Sequence, residues 1–272
     1  MVLIILSGRR RYIKSQKESR SRWSRSQYMP ILQTKHLYKH FDGVKAVDHL
    51  SLSFEKGKIT GVIGPNGSGK STFINLLTGF VPFDSGEIVI ASSLHFTQVK
   101  SHEVAGYGLT RTFQDVRLFE QMPVMDNILV VLTERSVFGS LFERHGKFHL
   151  AKAEEVLTRV GLWEKRYALA NNLSYGQRKL LEIARVLAMD PDIIFFDEPF
   201  AGLFPEMLKV VVSVMKELRA QGKTQILVEH NMELIRELSD HIFVLDSGEL
   251  LAEGVPSEVL ARREVIEAYL GE

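Results

Sequence analysis

Gly64-Pro65-Asn66-Gly67-Ser68-Gly69-Lys70-Ser71 is the stretch that decides the fold. Ahead of it, Lys58-Ile59-Thr60-Gly61-Val62-Ile63 is an apolar run of strand length; behind it, Phe73, Leu76 and Leu77 recur at helical spacing between Ser71 and Gly79. Strand, glycine-rich loop and helix in that order give the pattern G-x-x-x-x-G-K-[ST] the context it needs. Glycines let backbone N–H groups turn inward around phosphate oxygens, and the helix N-terminus adds partial positive charge. Every residue from Gly64 to Ser71 is therefore a candidate nucleotide contact. Lys70 is assigned to the β- and γ-phosphates and the Ser71 hydroxyl to Mg²⁺, with Ser68 and Thr72 as further phosphate contacts. Alone, the loop suits many nucleoside triphosphatases and kinases.

Asp192-Ile193-Ile194-Phe195-Phe196-Asp197-Glu198-Pro199 narrows the choice. Four apolar residues ending in two carboxylates place the acids at the C-terminal end of a buried strand, where open α/β sheets bind ligands. Asp197 there steadies the metal through its water shell, and Glu198 faces the γ-phosphate and polarises the attacking water.

Outward from these two stretches, Ile31 to Phe54 reads as half-buried antiparallel strands, with Leu50-Ser51-Leu52-Ser53-Phe54 alternating at period two. Ile193–Phe196, Gln225–Val228 and His241–Leu245 are near-continuous apolar runs, as parallel strands covered on both faces require. Asp84-Ser85-Gly86 and Asp246-Ser247-Gly248 read as tight hairpin turns. Ser92 to Asn172 is mainly helical in pattern, clearest at Val124–Leu132 and Ala151–Val160, with a glycine- and aromatic-bearing link at Phe138–Phe148. The helical subdomain is placed at about residues 115–172.

The 272 residues, 45% of them hydrophobic, suffice for a proper core, and no run approaches the roughly 20 apolar residues that span a bilayer. Cysteine is absent, which excludes disulfides and thiolate metal sites. Net charge is +1, yet Arg9, Arg10, Arg11, Lys14, Lys17, Arg20, Arg22 and Arg25 crowd the start of the chain. The remainder is mildly acidic, which argues against a nucleic-acid partner. Residues 1–29 read as a basic extension too poor in apolar side chains to order itself, with a wrongly assigned start codon or a contact with anionic lipid headgroups as alternatives; residues 30–272 form the folded domain.

Leu173-Ser174-Tyr175-Gly176-Gln177 makes the resemblance specific. Physically, Ser174 followed by Gln177 is a capping box opening an amphipathic helix at Arg178 to Met189, and a capped helix N-terminus beside a glycine is a good anion site. The stretch also resembles the signature sequence of ATP-binding-cassette (ABC) ATPases. That resemblance covers about residues 30–272. It implies an α/β fold with a RecA-like P-loop NTPase core, an antiparallel β-subdomain and an inserted helical subdomain. It further implies ATP and Mg²⁺ as cofactors, hydrolysis to ADP and phosphate, and a head-to-tail dimer, homomeric or with a paralogue. In that dimer Ser174, Tyr175, Gly176 and Gln177 face the γ-phosphate held by the other subunit. Phe41 lies where the family stacks an aromatic ring on adenine, Gln114 where a glutamine senses the γ-phosphate and joins the metal site, and His230 where a histidine contacts that phosphate. The catalytic candidates are thus Glu198, His230, Lys70 and Gln114, and the metal candidates Ser71, Gln114 and Asp197.

Arg111 to Phe119, the signature with Tyr175 in third place, and Ala268-Tyr269-Leu270-Gly271-Glu272 together resemble the ATPases of branched-chain amino acid importers. This implies transmembrane permease subunits, a periplasmic binding protein acting indirectly, and a place on the cytoplasmic face of the inner membrane. ATPases serving lipopolysaccharide transport or urea and amide import share similar runs. One departure stands out: Phe204, followed by Pro205, occupies a position where the family has a small polar residue, often Asp or Asn. An aromatic ring cannot replace that acceptor, so an ATP-binding module with impaired turnover is the alternative to a full ATPase.

Overall fold

The computed structural model describes residues 30–132 and 147–270. The basic extension, residues 138–146 of the link at Phe138–Phe148 and the closing Gly271-Glu272 lie outside the described residues, whereas Lys147 and Phe148 open a helix.

Eleven strands are described, in two sheets. β1 (Pro30–Phe41), β2 (Val44–Leu50), β3 (Ser53–Glu55), β5 (Ser85–Ile90) and β6 (Leu94–Phe96) form an antiparallel sheet in the order β2-β1-β5-β6, with β3 also on β1. The run Leu50 to Phe54, expected as one strand, is split: β2 ends at Leu50 and β3 starts at Ser53. Thr34 bridges the break, its N–H donating to the Leu52 carbonyl at 2.9 Å and its Oγ1 accepting from the Leu52 N–H at 2.9 Å. Half-exposed strands of this kind keep one face polar, and β1 alternates accordingly from Leu32 to Lys35.

β4 (Ile59–Ile63), β7 (Leu109–Arg111), β8 (Ile193–Asp197), β9 (Thr224–Val228), β10 (His241–Asp246) and β11 (Glu249–Gly254) form the second sheet, ordered β11-β10-β4-β9-β8-β7. β10, β4, β9, β8 and β7 run parallel, and β11 is antiparallel at the edge. Every residue of β4, β8 and β9 is buried. Their side chains alternate between two cores, as the pleat requires. Ile194, Phe196, Leu227 and Ile63 point to the helices behind the sheet, whereas Phe195, Ile226, Val228 and Val62 point to the antiparallel sheet and α1 (Lys70–Leu77). There Phe54 meets Phe243 edge to face at 5.3 Å and stacks on Phe73 at 6.3 Å, joining both sheets and the helix.

The helical unit contains α2 (Val124–Leu132) and α3 (Lys147–Arg159), which pack on each other and on α4 (Tyr175–Met189). α3 buries Ala153, Val156 and Leu157, the i, i+3, i+4 stripe of an amphipathic helix. Fully buried Asn127 ties the segment before α2: its Oδ1 accepts the Phe119 N–H at 2.9 Å, and its Nδ2 donates to the Phe119 and Pro123 carbonyls at 3.1 Å each. Two expectations need correction here. The segment from Ser92 is not helical until Val124, because β6 and β7 occupy it with a short 3₁₀ turn at Val104–Tyr107 between them. Asp84-Ser85-Gly86 is not a hairpin turn either, since β5 pairs with the distant β1; Asp84 instead accepts from Lys39 Nζ at 2.7 Å and the His40 N–H at 2.9 Å. Asp246-Ser247-Gly248 does turn a hairpin, with Asp246 paired to Glu249 and positive φ at both Ser247 and Gly248. α5 (Pro205–Ala220) and α6 (Met232–Leu238) connect β8 to β9 and β9 to β10, and α7 (Pro256–Val259) and α8 (Arg263–Leu270) end the described chain.

Candidate functional site: a phosphate loop facing two strand-end acids

The C-terminal ends of β4, β9, β8 and β7 lie side by side, so the loops leaving them share one edge of the sheet. The phosphate loop leaves β4. Gly64 has φ 150° and Gly69 φ 96°, and a Cβ would stand 2.1 Å from the Leu245 carbonyl oxygen at the first and 2.2 Å from that of Ala46 at the second. Only glycine satisfies both the backbone angle and the space. Lys70, the first residue of α1, is buried, and its Nζ donates to the carbonyls of Gly64 and Pro65 at 2.7 Å each and reaches Ser68 Oγ at 3.4 Å. The ammonium thus braces the loop it opens. Asn66, Gly67 and Ser71 are exposed, Thr72 half-buried, and Pro65 and Ser68 buried.

β8 delivers Asp197 and then Glu198, whose φ of 47° is strained for a residue with a side chain. Asp197 Oδ2 accepts from Arg111 on β7 at 2.8 Å, and its N–H donates to Thr112 Oγ1 at 3.1 Å. Burial pushes the Asp197 carboxyl above its ordinary range, against the pull of Arg111. Its second oxygen, Oδ1, is buried with no hydrogen-bond partner among the described residues. An orphaned carboxylate oxygen on this edge suits a hydrated divalent cation, so the residues present fit Mg²⁺.

Glu198 gathers the other two expected groups. Gln114 Nε2 donates to Glu198 Oε2 at 3.2 Å, and His230 Nε2 lies 3.0 Å from Glu198 Oε1. Residues far apart in sequence therefore converge on one carboxylate. Glu229, buried and raised in pKa chiefly by that burial, shapes the loop carrying His230: its carboxylate accepts the N–H groups of Phe200, His230 and Asn231.

The signature stretch stands at the start of α4. Ser174 Oγ accepts the Gln177 N–H at 3.3 Å while Gln177 Oε1 accepts the Ser174 N–H at 3.2 Å, the capping box expected from sequence. The helix starts at Tyr175 rather than Arg178. Ser174 and Tyr175 are exposed, but Gly176 is buried under Met207, so the open part of this N-terminus is narrower than expected. Phe41, 44% exposed, sits at the β1–β2 hairpin with Lys39 Nζ 5.0 Å from its ring centre. Phe204 is 70% exposed at the N-cap of α5 and offers no capping oxygen, while Glu198, Gln114 and His230 assemble without it.

Sequence reading assigned no role to Arg111, Thr112, Lys179, Glu182 or Glu229. The available signal was charge inside apolar surroundings: Lys179 and Glu182 interrupt the buried face of α4 one turn apart.

The ABC transporter family pattern matches residues 47–201, and that of the branched-chain amino acid ATP-binding cassette transporters matches residues 249–272. The high-affinity branched-chain amino acid transport ATP-binding protein LivG of Salmonella typhimurium is 39% identical over 252 residues, covering 89% of this chain and 98% of that protein. A probable branched-chain amino acid transport ATP-binding protein LivG of Archaeoglobus fulgidus is 37% identical, covering 89% of this chain and 96% of that one. Among solved structures, a nucleotide-free ATP-binding cassette from an ABC transporter superposes with a TM-score of 0.78 at 36% identity, covering 90% of this chain and all of that one. Taken with the phosphate loop, the strand-end acids and the capped signature helix, these likenesses mean that the chain belongs to the ABC transporter family, as one of its ATP-hydrolysing subunits.

Proposed function

We propose that the chain hydrolyses ATP to power import of branched-chain or other hydrophobic amino acids across a bacterial inner membrane. The convergence of Gln114 and His230 on Glu198, beside the phosphate loop, is the observation that carries the chemistry. The solute class is supported by the two LivG relatives and by the match at residues 249–272.

In this reading the backbone of Gly64 to Gly69 cradles the phosphates, and Lys70 leaves the Gly64 and Pro65 carbonyls for the β- and γ-phosphate oxygens. Phe41 stacks on adenine. Ser71, Asp197 and Gln114 would hold Mg²⁺, which when bound neutralises phosphate charge. Glu198 polarises the water that attacks the γ-phosphate, Gln114 orients it, and His230 donates to the charge that develops on phosphate. A second ATPase subunit, identical or paralogous, presents its Ser174–Gln177 to that phosphate head to tail.

No helix among the described residues is long and apolar enough to cross a membrane, so transmembrane permease subunits carry the solute and hold the chain peripherally at the cytoplasmic face. Exposed Phe119, Met122, Val130 and Leu169 on the helical unit supply an apolar surface suited to them. A periplasmic binding protein acts indirectly. Reconstitution with the permease subunits in proteoliposomes tests the reading: ATP should drive uptake of leucine, isoleucine or valine delivered by a binding protein. Uptake of urea, amides or lipopolysaccharide alone, or a chain that never co-purifies with those subunits, would overturn it.

A further inference from the structure

Helix α4 places three charged side chains, each one turn from the next, on its buried face or at the margin of it. Lys179 is 2% and Glu182 5% exposed, and Arg185 is partly buried. Burying a charge is costly, and an aliphatic side chain would pack there without that cost. Each of the three reaches a backbone atom of a catalytic loop. Lys179 Nζ donates to the Glu198 carbonyl at 2.6 Å; Glu182 Oε1 accepts the Phe113 N–H at 3.1 Å; Arg185 donates to the Arg117 carbonyl at 2.5 Å. The first bond fixes the peptide after a residue held at φ 47°. The second fixes the residue immediately before Gln114. Only where the Glu198 peptide and the Gln114 loop both hold their places do the two side chains meet at 3.2 Å.

We propose that Lys179 and Glu182 are positioning residues for hydrolysis, Lys179 setting Glu198 and Glu182 setting Gln114, so that the helix opened by Ser174 holds both groups against the γ-phosphate. The inference rests on the roles of Glu198 and Gln114 given above. Its consequence is kinetic: loss of either tether misplaces the water-activating groups while leaving the phosphate loop intact, and displacements of about 1 Å cost up to about 100-fold in rate.

Phosphate release by the purified full-length chain, measured across ATP concentrations, decides it for Lys179→Met, Glu182→Ala, Glu182→Gln and the control Glu198→Gln. Binding of a fluorescent ATP analogue and the thermal midpoint are read on the same samples. Lys179→Met and Glu182→Ala should lower kcat by about 10- to 100-fold, with KM and analogue affinity within about threefold of the parent. Glu182→Gln, which keeps an acceptor for the Phe113 N–H, should recover most of kcat. The proposal fails if Lys179→Met keeps kcat within about threefold, or if Glu182→Gln is impaired as deeply as Glu182→Ala. Should Glu182→Ala not fold, kcat lost in Lys179→Met and kept in Glu182→Gln supports the proposal, and any other pair of results overturns it. A Glu198→Gln chain as fast as the parent would remove the reading beneath the proposal; a dead Glu198→Gln beside a fast Lys179→Met removes the proposal alone.

Discussion

Glu182 shows how far a single residue's environment departs from what its letter suggests. Burial pushes its carboxyl from 4.5 up to about 7, with the Phe113 N–H and the charges of Arg185 and Lys179 pulling the other way. A folded-state pKa raised above the unfolded value means that the folded chain keeps a proton the unfolded chain has released. The stability so gained is complete below about pH 4.5 and is lost as pH rises through about 7. Glu182→Gln removes that titration. Urea melts of variant and parent from about pH 5 to 8 should therefore diverge in the variant's favour as pH rises, by ~1–3 kcal/mol, and parallel curves would contradict the assignment. Asp197 follows the same physics with a different outcome. Arg111 satisfies one of its oxygens and leaves the other buried without a hydrogen-bond partner among the described residues.

Elements were legible where their pattern is local. The runs Ile193–Phe196 and Gln225–Val228 are apolar on both faces because both faces are covered, and they became β8 and β9 almost residue for residue. The Ser174/Gln177 box was likewise legible, since both partners lie within one turn, although the helix it caps starts at Tyr175 and not at the expected Arg178. Ser174→Ala should cost about 0.5–1 kcal/mol in a denaturant melt while a single chain binds nucleotide as tightly as before; a loss of nucleotide affinity in the isolated chain would show that the signature serves its own phosphate loop. β7 escaped notice because it has three residues and pairs only with β8, at the sheet edge, so no periodicity could mark it. The division of Leu50–Phe54 escaped for a different reason. A period-two pattern survives the interruption, and the interruption itself is held by Thr34, a residue on another strand.

At the scale of the whole molecule the active edge follows from topology. Five parallel strands bring the loops after Ile63, Arg111, Asp197 and Val228 to one side, and the expected Lys70, Gln114, Glu198 and His230 come with them. Local motif and strand-end position point to Lys70 and Glu198, whereas Gln114 and His230 are named through the family resemblance, β7 leaving no pattern of its own. Sequence could not supply Arg111 on Asp197, Lys179 on the Glu198 carbonyl or Glu182 on the Phe113 N–H, which exist only once α4 and β7 have packed beside β8. The departure at Phe204 is settled at this scale in one respect: the exposed ring leaves the Glu198 cluster assembled. Whether that cluster turns over ATP is answered most directly by steady-state phosphate release from the purified chain in the presence of Mg²⁺, with Glu198→Gln alongside. Release by the parent that falls at least about 100-fold in the variant, with nucleotide binding retained, is the expected result; no release by the parent above that of the variant would contradict the assignment of Glu198 and of hydrolysis together.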